Sequence, residues 1–213
     1  SSGGANGATF TSPSYSGVYP GDLLFSVSSG SIQTVLRAYI EDYVVGVVAC
    51  EMGNSFPTEA LKAQAIAART YALMVKKSSG SYDLVDNTSA QAFRGYNTGS
   101  NVVAAVNATR GMVAYYNGSM ARLYYAASNG GQTALATDIW GGEGDYGYLA
   151  MVDDPYDLEN PSSLVNSVTF AGDLSDNAAL KAMLEEGLAA LNLPYEDVAL
   201  ESVASIEAVD PKF

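Results

Sequence analysis

Two helix-forming segments, separated by a short loop that contains Pro57, constrain the fold of this chain more than any other feature. The first segment covers about residues 38–52, and the second covers about 58–77. The second is rich in Ala, Leu, Lys, Gln and Arg, which all favour helix. Thr58 follows the proline and is predicted to cap the second helix, which a Ser-Ser-Gly sequence at 78–80 would end.

Strand signals flank this helical pair. Residues 8–30 alternate short apolar and polar stretches and predict strand or loop, and residues 82–133 are also strand-like. Within them, the pair Asn117-Gly118 predicts a hairpin that joins 111–116 to 120–127. Residues 134–165 are typical of a loop, and 176–192 predict another helix. The expected fold is therefore α+β, with two adjacent helices packed on antiparallel strands and an acidic, partly helical C-terminal region.

Composition excludes several classes of function. The sequence contains no histidine, which removes Ser-His-Asp triads, Cys-His proteases and histidine-based metal sites. The single cysteine, Cys50, allows neither an internal disulfide nor a multi-thiolate metal site. A formal charge of −13 disfavours nucleic acid and anionic membranes as partners. We therefore expect no metal and no cofactor, with chemistry left to carboxylates, Lys, Arg, Tyr, hydroxyls or one thiol.

Charge is distributed unevenly along the chain. Residues 1–132 hold 8 basic and 7 acidic side chains, whereas residues 133–213 hold 2 basic and 16 acidic ones. One interpretation is a solvated acidic C-terminal region, and the other is that cations gather in the first part because an anionic ligand binds there. No apolar run approaches the roughly 20 residues that span a bilayer, so no membrane anchor is predicted within this chain.

Glu51 is the leading catalytic candidate because of its position on the first helix. Helical spacing aligns it with an apolar stripe made of Ile40, Val44, Val47 and Val48. A carboxyl group on an apolar face is costly to ionise, which favours its protonated form and a role as general acid. The alternative is that the helix has ended by Gly53-Asn54 and Glu51 points to water, and this is the preferred interpretation of the residues taken alone.

Lys62 and Arg69 on the second helix are candidates for holding an anionic group. They are seven residues apart, so they share a face and lie ~10 Å from each other along the helix axis. Such a pair can clamp an anion or act on a nearby carboxylate. The alternative is that both side chains extend into solvent, with Glu59 paired to Lys62.

A cluster of aspartates around Pro155 has two interpretations as well. Asp153, Asp154 and Asp157 have the side chains that Ca²⁺ prefers, but they equally suit a turn followed by a helix cap. The turn is the preferred interpretation. Cys50 is expected to be a buried, small apolar residue, because no histidine is present to activate it as a nucleophile.

Two blocks of sequence resemble the stage II sporulation protein D family, which includes the amidase enhancers. The first block comprises residues 41–52 (EDYVVGVVACEM) and residues 59–71 (EALKAQAIAARTY). The second comprises residues 125–133 (YAASNGGQT), then Trp140 and residues 148–157 (YLAMVDDPYD). The resemblance covers about residues 15–160 and keeps the order and spacing of the family's motifs.

The resemblance implies an enzyme of the bacterial cell wall. Sporulation members are lytic transglycosylases, which cut peptidoglycan glycan strands that have lost their stem peptides. They break the bond between N-acetylmuramic acid and N-acetylglucosamine and leave a 1,6-anhydro end. Carried over to this chain, the catalytic glutamate is Glu51, and the substrate-binding residues are Lys62, Arg69, Tyr125 and Ser128. The setting would be extracytoplasmic, in the cell envelope or outside the cell.

The same resemblance implies a domain organisation. Residues 1–14 would be a disordered linker or an artificial remnant, residues 15–165 the catalytic core, and residues 166–213 an acidic C-terminal part of the same domain, complete or truncated. Many family members carry His and Ser where Ala126 and Ala127 stand here. The zinc site of some relatives cannot exist in a chain without histidine. These departures favour an alternative function: a non-catalytic peptidoglycan-binding protein that activates a cell-wall amidase.

Overall fold

The computed structural model of the chain describes residues 7–9, 17–86, 90–96, 99–141, 146–160, 178–190 and 192. Contacts within the chain divide it into two compact units, one that ends at Tyr125 and one that begins at Ala126. Helices and small antiparallel sheets occur together, so the predicted α+β class is confirmed. No helix in the described part has the length and hydropathy needed to cross a membrane.

In the described part of the first unit, the strands form three antiparallel pairs. They join β1 (Gly7–Thr9) with β2 (Val18–Pro20), β3 (Asp22–Ser28) with β4 (Ser31–Arg37), and β5 (Tyr115–Tyr116) with β6 (Ser119–Met120). The β3–β4 turn uses Ser29 and Gly30 at φ values of 49° and 78°. Positive φ at both central residues is the type I′ geometry, which matches the twist of paired strands.

Three helices build the main core of this unit: α1 (Ile40–Glu51), α2 (Thr58–Met74) and α3 (Ser100–Ala108). Small and β-branched apolar residues line the faces where they meet. The buried core residues are Val44, Val45, Val48, Leu61, Ala65, Val102, Ala105 and Val106. Because these side chains are short, the three helices can approach each other closely.

A second apolar cluster joins the helices to the strands. Tyr19 of β2 and Leu36 of β4 pack against Val47 of α1, Ala68 of α2 and the ring of Phe93. This cluster meets α1 at Val47, next to the three-helix core, and Tyr43 packs against both clusters. The predicted packing of two adjacent helices on antiparallel strands is found here.

The second unit contains short helices and ordered turns. Its helices within the described residues are α4 (Ala136–Trp140), α5 (Pro155–Glu159) and α6 (Ala178–Ala190). The last of these confirms the helix predicted at 176–192, whereas α4 and α5 fall in a stretch expected to be loop. The predicted linker at 1–14 and most of the predicted part at 166–213 lie outside the described residues, and the proposed domain limits stay predictions.

Several predicted element boundaries differ from the structure for identifiable reasons. Thr58 is the first residue of α2, and Pro57 precedes it at the cap position without a side-chain hydrogen bond, so the predicted threonine cap was wrong. Helix α3 occupies a stretch expected to be strand, since its valines favour strands locally but lie at helical spacing on the buried face. The Asn117-Gly118 hairpin is confirmed, with only two residues in each strand.

Candidate active site

Glu51 is the last residue of α1 and its side chain is exposed. The helix closes with the Met52 amide bonded to the Val48 carbonyl at 3.0 Å, and the chain then turns away. The apolar stripe of α1 is buried up to Val48 but not beyond it. Glu51 therefore points to water, as the interpretation preferred from the residues alone predicts, because the helix ends where the core ends.

The loop after Glu51 is fixed by the start of α3. The Asn54 side-chain oxygen accepts hydrogen bonds from the amides of Asn101 (2.9 Å) and Val102 (3.2 Å). In return the Asn101 side chain donates to the Asn54 carbonyl at 3.0 Å. Amides in the first turn of a helix have no partner within it, so a residue distant in sequence supplies the cap here. The end of α1 is thereby attached to a second helix.

An extended segment, residues 91–96, lies directly against α1 and reaches Glu51. The Phe93 ring stacks on Tyr43 with centroids 5.3 Å apart, and it meets Tyr19 edge-on at 5.7 Å. Gly46 permits this approach, because a Cβ at that position would lie 2.3 Å from the Phe93 ring and 2.5 Å from a backbone oxygen. The amide of Tyr96 bonds to the Val18 carbonyl at 2.7 Å and holds the far end of the segment.

Two donors from separate segments converge on one oxygen of Glu51. The Ala92 amide donates to Oε1 at 3.1 Å, and the Tyr125 hydroxyl donates to the same atom at 3.4 Å. Oε2 has no hydrogen-bond partner within the described part of the chain. The carboxyl group is thus held from one side and presents its second oxygen to solvent.

Burial acts on the hydroxyl groups around this carboxylate. It raises the pKa of Tyr125 to about 12, while a hydrogen bond from Gln91 lowers that pKa and the Glu51 charge raises it. Burial also raises the pKa of Tyr43, and Tyr125 contributes to the same effect. Both tyrosines therefore keep their protons through the neutral range and can act as hydrogen-bond donors. The neighbouring Cys50 is exposed, so the burial expected for this residue was wrong. Partial burial still raises the pKa of its thiol.

Arg69 lies in the interior of the three-helix core, with 1% of its surface exposed. Its Nη2 and Nε atoms donate to the two carboxylate oxygens of Glu41 at 2.7 and 3.1 Å. Further bonds reach the carbonyls of Ala65, Val106 and Met112. This guanidinium links α1, α2 and the end of α3, and it presents no surface on which a substrate could bind in this conformation.

Lys62 shares a helical strip with Arg69, but its side chain takes another direction. Its Nζ lies 2.7 Å from the Glu59 carboxylate, one helical turn earlier, and 32% of its side chain is exposed. The pairing of Lys62 with Glu59 matches the alternative noted in the sequence. An exposed pair of this kind is weak and can open for a ligand, so the substrate-binding role of Lys62 stays a prediction.

Ser128 belongs to the second unit, in a turn within residues 125–133, the start of the second block of the resemblance. Its hydroxyl donates to Asp157 Oδ2 at 2.7 Å, and the amides of Asn129 and Gly130 donate to the same oxygen at 2.8 and 2.9 Å. Asp154 accepts from the Asn129 side chain at 3.0 Å. Two of the clustered aspartates therefore hold the turn at 128–130 in place, whereas the predicted cap was wrong, because Asp154 precedes α5 without a side-chain cap hydrogen bond.

The third aspartate of the cluster also bonds to the turn, since Gln132 donates to Asp153 at 2.7 Å. Over the residues that the structure describes, no group of three or more acidic or thiol side chains is arranged to hold a metal ion. The substrate-binding role predicted for Ser128 stays a prediction.

Sequence reasoning identified Glu51 and Tyr125 but missed the groups that connect them. Gln91 and the Ala92 amide lie in a stretch without a recognisable motif, and Tyr43 is one apolar-looking helix residue among many. Gly46 is the signal that could have located them. A glycine inside a helix otherwise well suited to alanine indicates that another backbone passes close by.

Comparison with known proteins agrees with the resemblance. The family model described as SpoIID, Stage II sporulation protein, matches residues 28–116. An amidase enhancer of Bacillus subtilis (strain 168) is 41% identical over 95 residues, which cover 45% of this chain and 13% of that protein. Stage II sporulation protein D of the same strain is 29% identical over 169 residues, which cover 70% of this chain and 48% of that protein.

A third relative, an uncharacterized protein of Brachyspira hyodysenteriae, is 38% identical over 127 residues, which cover 58% of this chain and 34% of that protein. The chain thus spans between 13% and 48% of the length of these relatives. The matched region contains Glu51, Tyr43 and Gln91, and it includes the three helices that position them. Over residues 28–116 this chain is similar to the Stage II sporulation protein family, SpoIID.

Proposed function

We propose that this protein is a peptidoglycan lytic transglycosylase in which Glu51 serves as general acid and then as general base. The observation that carries the proposal is the setting of Glu51, with Oε1 held by the Ala92 amide and the Tyr125 hydroxyl and Oε2 facing solvent. A carboxyl group anchored through one oxygen can transfer a proton through the other without losing its position.

The proposed reaction begins with protonated Glu51. It donates its proton to the glycosidic oxygen between N-acetylmuramic acid and N-acetylglucosamine while that C–O bond breaks and oxocarbenium character develops at C1. The resulting carboxylate takes the proton from the C6 hydroxyl of the muramic residue. The C6 oxygen bonds to C1 and closes the 1,6-anhydro ring. Water is not consumed and Glu51 ends the cycle protonated, so the reaction needs no second catalytic carboxylate.

The two donors on Oε1 have a defined part in this scheme. Between the two proton transfers Glu51 carries a full negative charge, and the Ala92 amide and Tyr125 hydroxyl stabilise it by hydrogen bonding. Tyr125 is 40% exposed, so its ring can also contact a sugar beside the carboxyl group. The substrate would be peptide-stripped glycan strands, and the setting extracytoplasmic.

A second function is favoured by a separate observation. The chain is 41% identical to an amidase enhancer over 95 residues. In addition, Ala126 and Ala127 replace the His and Ser that the resemblance leads us to expect. On this hypothesis the protein binds glycan strands without cutting them and stimulates a cell-wall amidase.

Mass spectrometry of the products from peptide-free glycan strands tests the first proposal. Wild type should release fragments that end in 1,6-anhydro-muramic acid, and Glu51→Gln should bind the strands but release no such fragments. Glu186→Gln is a matched control, because it makes the same chemical change at an exposed glutamate of α6. It should cleave like the wild type.

The outcomes separate the two functions. Anhydro ends in the Glu51→Gln reaction would remove Glu51 from the catalytic role. Intact strands with wild type and Glu51→Gln, together with binding by both, would favour the amidase-enhancing function. In that case both proteins should equally raise the rate at which a purified amidase releases peptides from peptidoglycan.

A further inference from the structure

A row of hydrogen bonds leads from the interior to Glu51. The Tyr43 hydroxyl donates to Gln91 Oε1 at 3.2 Å, and Gln91 Nε2 donates to the Tyr125 oxygen at 3.4 Å. The Tyr125 hydroxyl then donates to Glu51 Oε1 at 3.4 Å. Gln91 is the buried link of this row, with 2% of its surface exposed. It has no access to a substrate, so any effect it has on catalysis must pass through Tyr125.

The amide of Gln91 gives this row a direction. A phenol has one proton to donate, and an amide has a donor end and an acceptor end. With Oε1 occupied by Tyr43, the donor end of Gln91 faces Tyr125, whose oxygen accepts and whose own proton is left for Glu51. If the amide were reversed, Tyr125 would donate to Gln91 instead. Its oxygen would then face the Glu51 carboxylate with no proton between them, which is repulsive.

The direction of the row determines where Glu51 can carry its proton. Oε1 receives both the Tyr125 proton and the Ala92 N–H, and a hydroxyl on that oxygen would point its hydrogen at two donors. The proton of the acid is thus placed on Oε2. This is the exposed oxygen, which the proposed reaction needs as its proton donor.

We propose that Gln91 is a positioning residue for Glu51: held between the hydroxyls of Tyr43 and Tyr125, it orients the Tyr125 proton toward Oε1 and so keeps the transferable proton on Oε2. This inference rests on the proposed function and extends it to residues that do not contact substrate. It differs from a role in packing, because it depends on which end of the side chain donates.

Two variants of Gln91 separate direction from packing. Gln91→Met keeps the length of the side chain and removes both hydrogen bonds, whereas Gln91→Glu keeps the shape and replaces the donor end with an oxygen. Ionised, that glutamate accepts from both tyrosines and draws the Tyr125 proton away from Glu51. Protonated, it has one donor and one acceptor, as the native amide does.

Steady-state kinetics on peptide-free strands should show this difference. At neutral pH both variants should lose about tenfold in kcat with KM unchanged, the equivalent of about one hydrogen bond in the transition state. As pH falls, the ratio of kcat for Gln91→Glu to that of wild type should rise toward one, while the ratio for Gln91→Met stays flat. A fall in stability alone would not give one variant a pH-dependent recovery.

Other ionisable groups surround this row. They are the same in wild type, Gln91→Met and Gln91→Glu, so their effect cancels in the ratio of each variant's kcat to that of wild type. Electrostatic interactions connect the row with Tyr71, Asp86, Cys50 and Arg94. If a Gln91 variant does not fold, Tyr43→Phe takes its place in the test, because it removes only the hydroxyl that orients the Gln91 amide. This variant should lose severalfold in kcat with KM unchanged.

A second measurement keeps the two proposals separable. The ¹³C signal of the Glu51 carboxyl carbon reports its hydrogen bonds without any turnover, and it should move in Gln91→Met and Tyr43→Phe. If the signal moves in the variants while the wild type cuts no glycan, the positioning role is retained and the transglycosylase activity is rejected. Glycan cleavage by wild type, with unchanged kcat and an unmoved signal in the variants, would reject the positioning role alone.

Discussion

Among single residues, Arg69 shows how a charge pattern in the sequence can have a structural meaning. Its guanidinium makes five hydrogen bonds, two to Glu41 and three to backbone carbonyls. Glu41 Oε1 accepts a further bond from the Gly111 amide at 3.1 Å. The ion pair therefore joins the start of α1 to the segment after α3, and these contacts hold the frame in which Glu51 sits.

Replacing one member of this buried pair should be strongly destabilising. We expect Arg69→Met to lower the free energy of unfolding by about 3–5 kcal/mol, because Glu41 would remain buried without its partner. Urea unfolding followed by circular dichroism measures this. The double variant Glu41→Leu/Arg69→Met should be more stable than the sum of the two single losses predicts. Wild-type stability with lost glycan binding in Arg69→Met would instead assign Arg69 to the substrate.

Cys50 provides a test of the electrostatics beside Glu51. Burial raises the pKa of its thiol while Arg94 opposes that effect, so the thiolate is scarce at neutral pH. Alkylation by iodoacetamide should consequently be slow at pH 7 and accelerate only in the alkaline range. Mass spectrometry of the alkylated fraction at several pH values measures the rate. Arg94→Gln should react more slowly still, and rapid alkylation at pH 7 would contradict the expected environment.

Among the elements, α1 and the segment at 91–96 depend on each other. The segment supplies the Ala92 amide and the Gln91 side chain to the site, and Gly46 lets it approach the helix. Helix α1 could be predicted because good spacing of apolar residues extends over its whole length. The segment could not, since its conformation is decided by contacts with the helix and with Val18 rather than by its own sequence.

Gly46→Ala should weaken this contact and the activity together. A methyl group there would collide with the Phe93 ring and a backbone oxygen, at a cost of about 1–3 kcal/mol for overpacking. The displaced segment would move the Ala92 amide away from Glu51, so kcat should fall as well. Thermal unfolding and glycan cleavage measure the two effects.

Gly187→Ala is the matched control, because an added Cβ in α6 meets no atom within 4 Å. It should be neutral or stabilise by about 0.5–1 kcal/mol, since alanine is the better helix former. If Gly46→Ala behaved in the same way, the close approach of the segment would not matter for stability.

For the whole molecule, the sequence predicts the α+β class and locates helices α1 and α2. Both are marked by an apolar periodicity that can be read within a single segment of the chain. Glu51 was found through such a periodicity, and its exposure at the helix end agrees with the interpretation preferred from the residues alone. Tyr125 was found only through the resemblance. Its bond to Glu51 joins residues 74 positions apart, and contacts of that range depend on how the elements pack.

The buried hydroxyls of the site should also limit the stability of the protein in alkali. Tyr125 has its pKa raised to about 12 in the folded state, and that of Tyr43 is raised too, against about 10 for an unfolded tyrosine. Between these values the folded state binds more protons than the unfolded state does. The free energy of unfolding is then highest below pH 10 and falls as pH rises toward 12.

Urea unfolding midpoints measured from pH 9 to pH 11.5 test this expectation. Wild type should lose stability steeply above pH 10, and Tyr43→Phe should show a flatter fall because one of the two groups no longer titrates. Tyr115→Phe is the matched control, as that ring is 63% exposed in the β5–β6 hairpin, and its curve should run parallel to the wild-type curve. The general repulsion of an acidic protein acts on all three alike, so a difference in slope belongs to the buried hydroxyl. Parallel curves for Tyr43→Phe and wild type would mean that the interior row of hydrogen bonds opens to water before the protein unfolds.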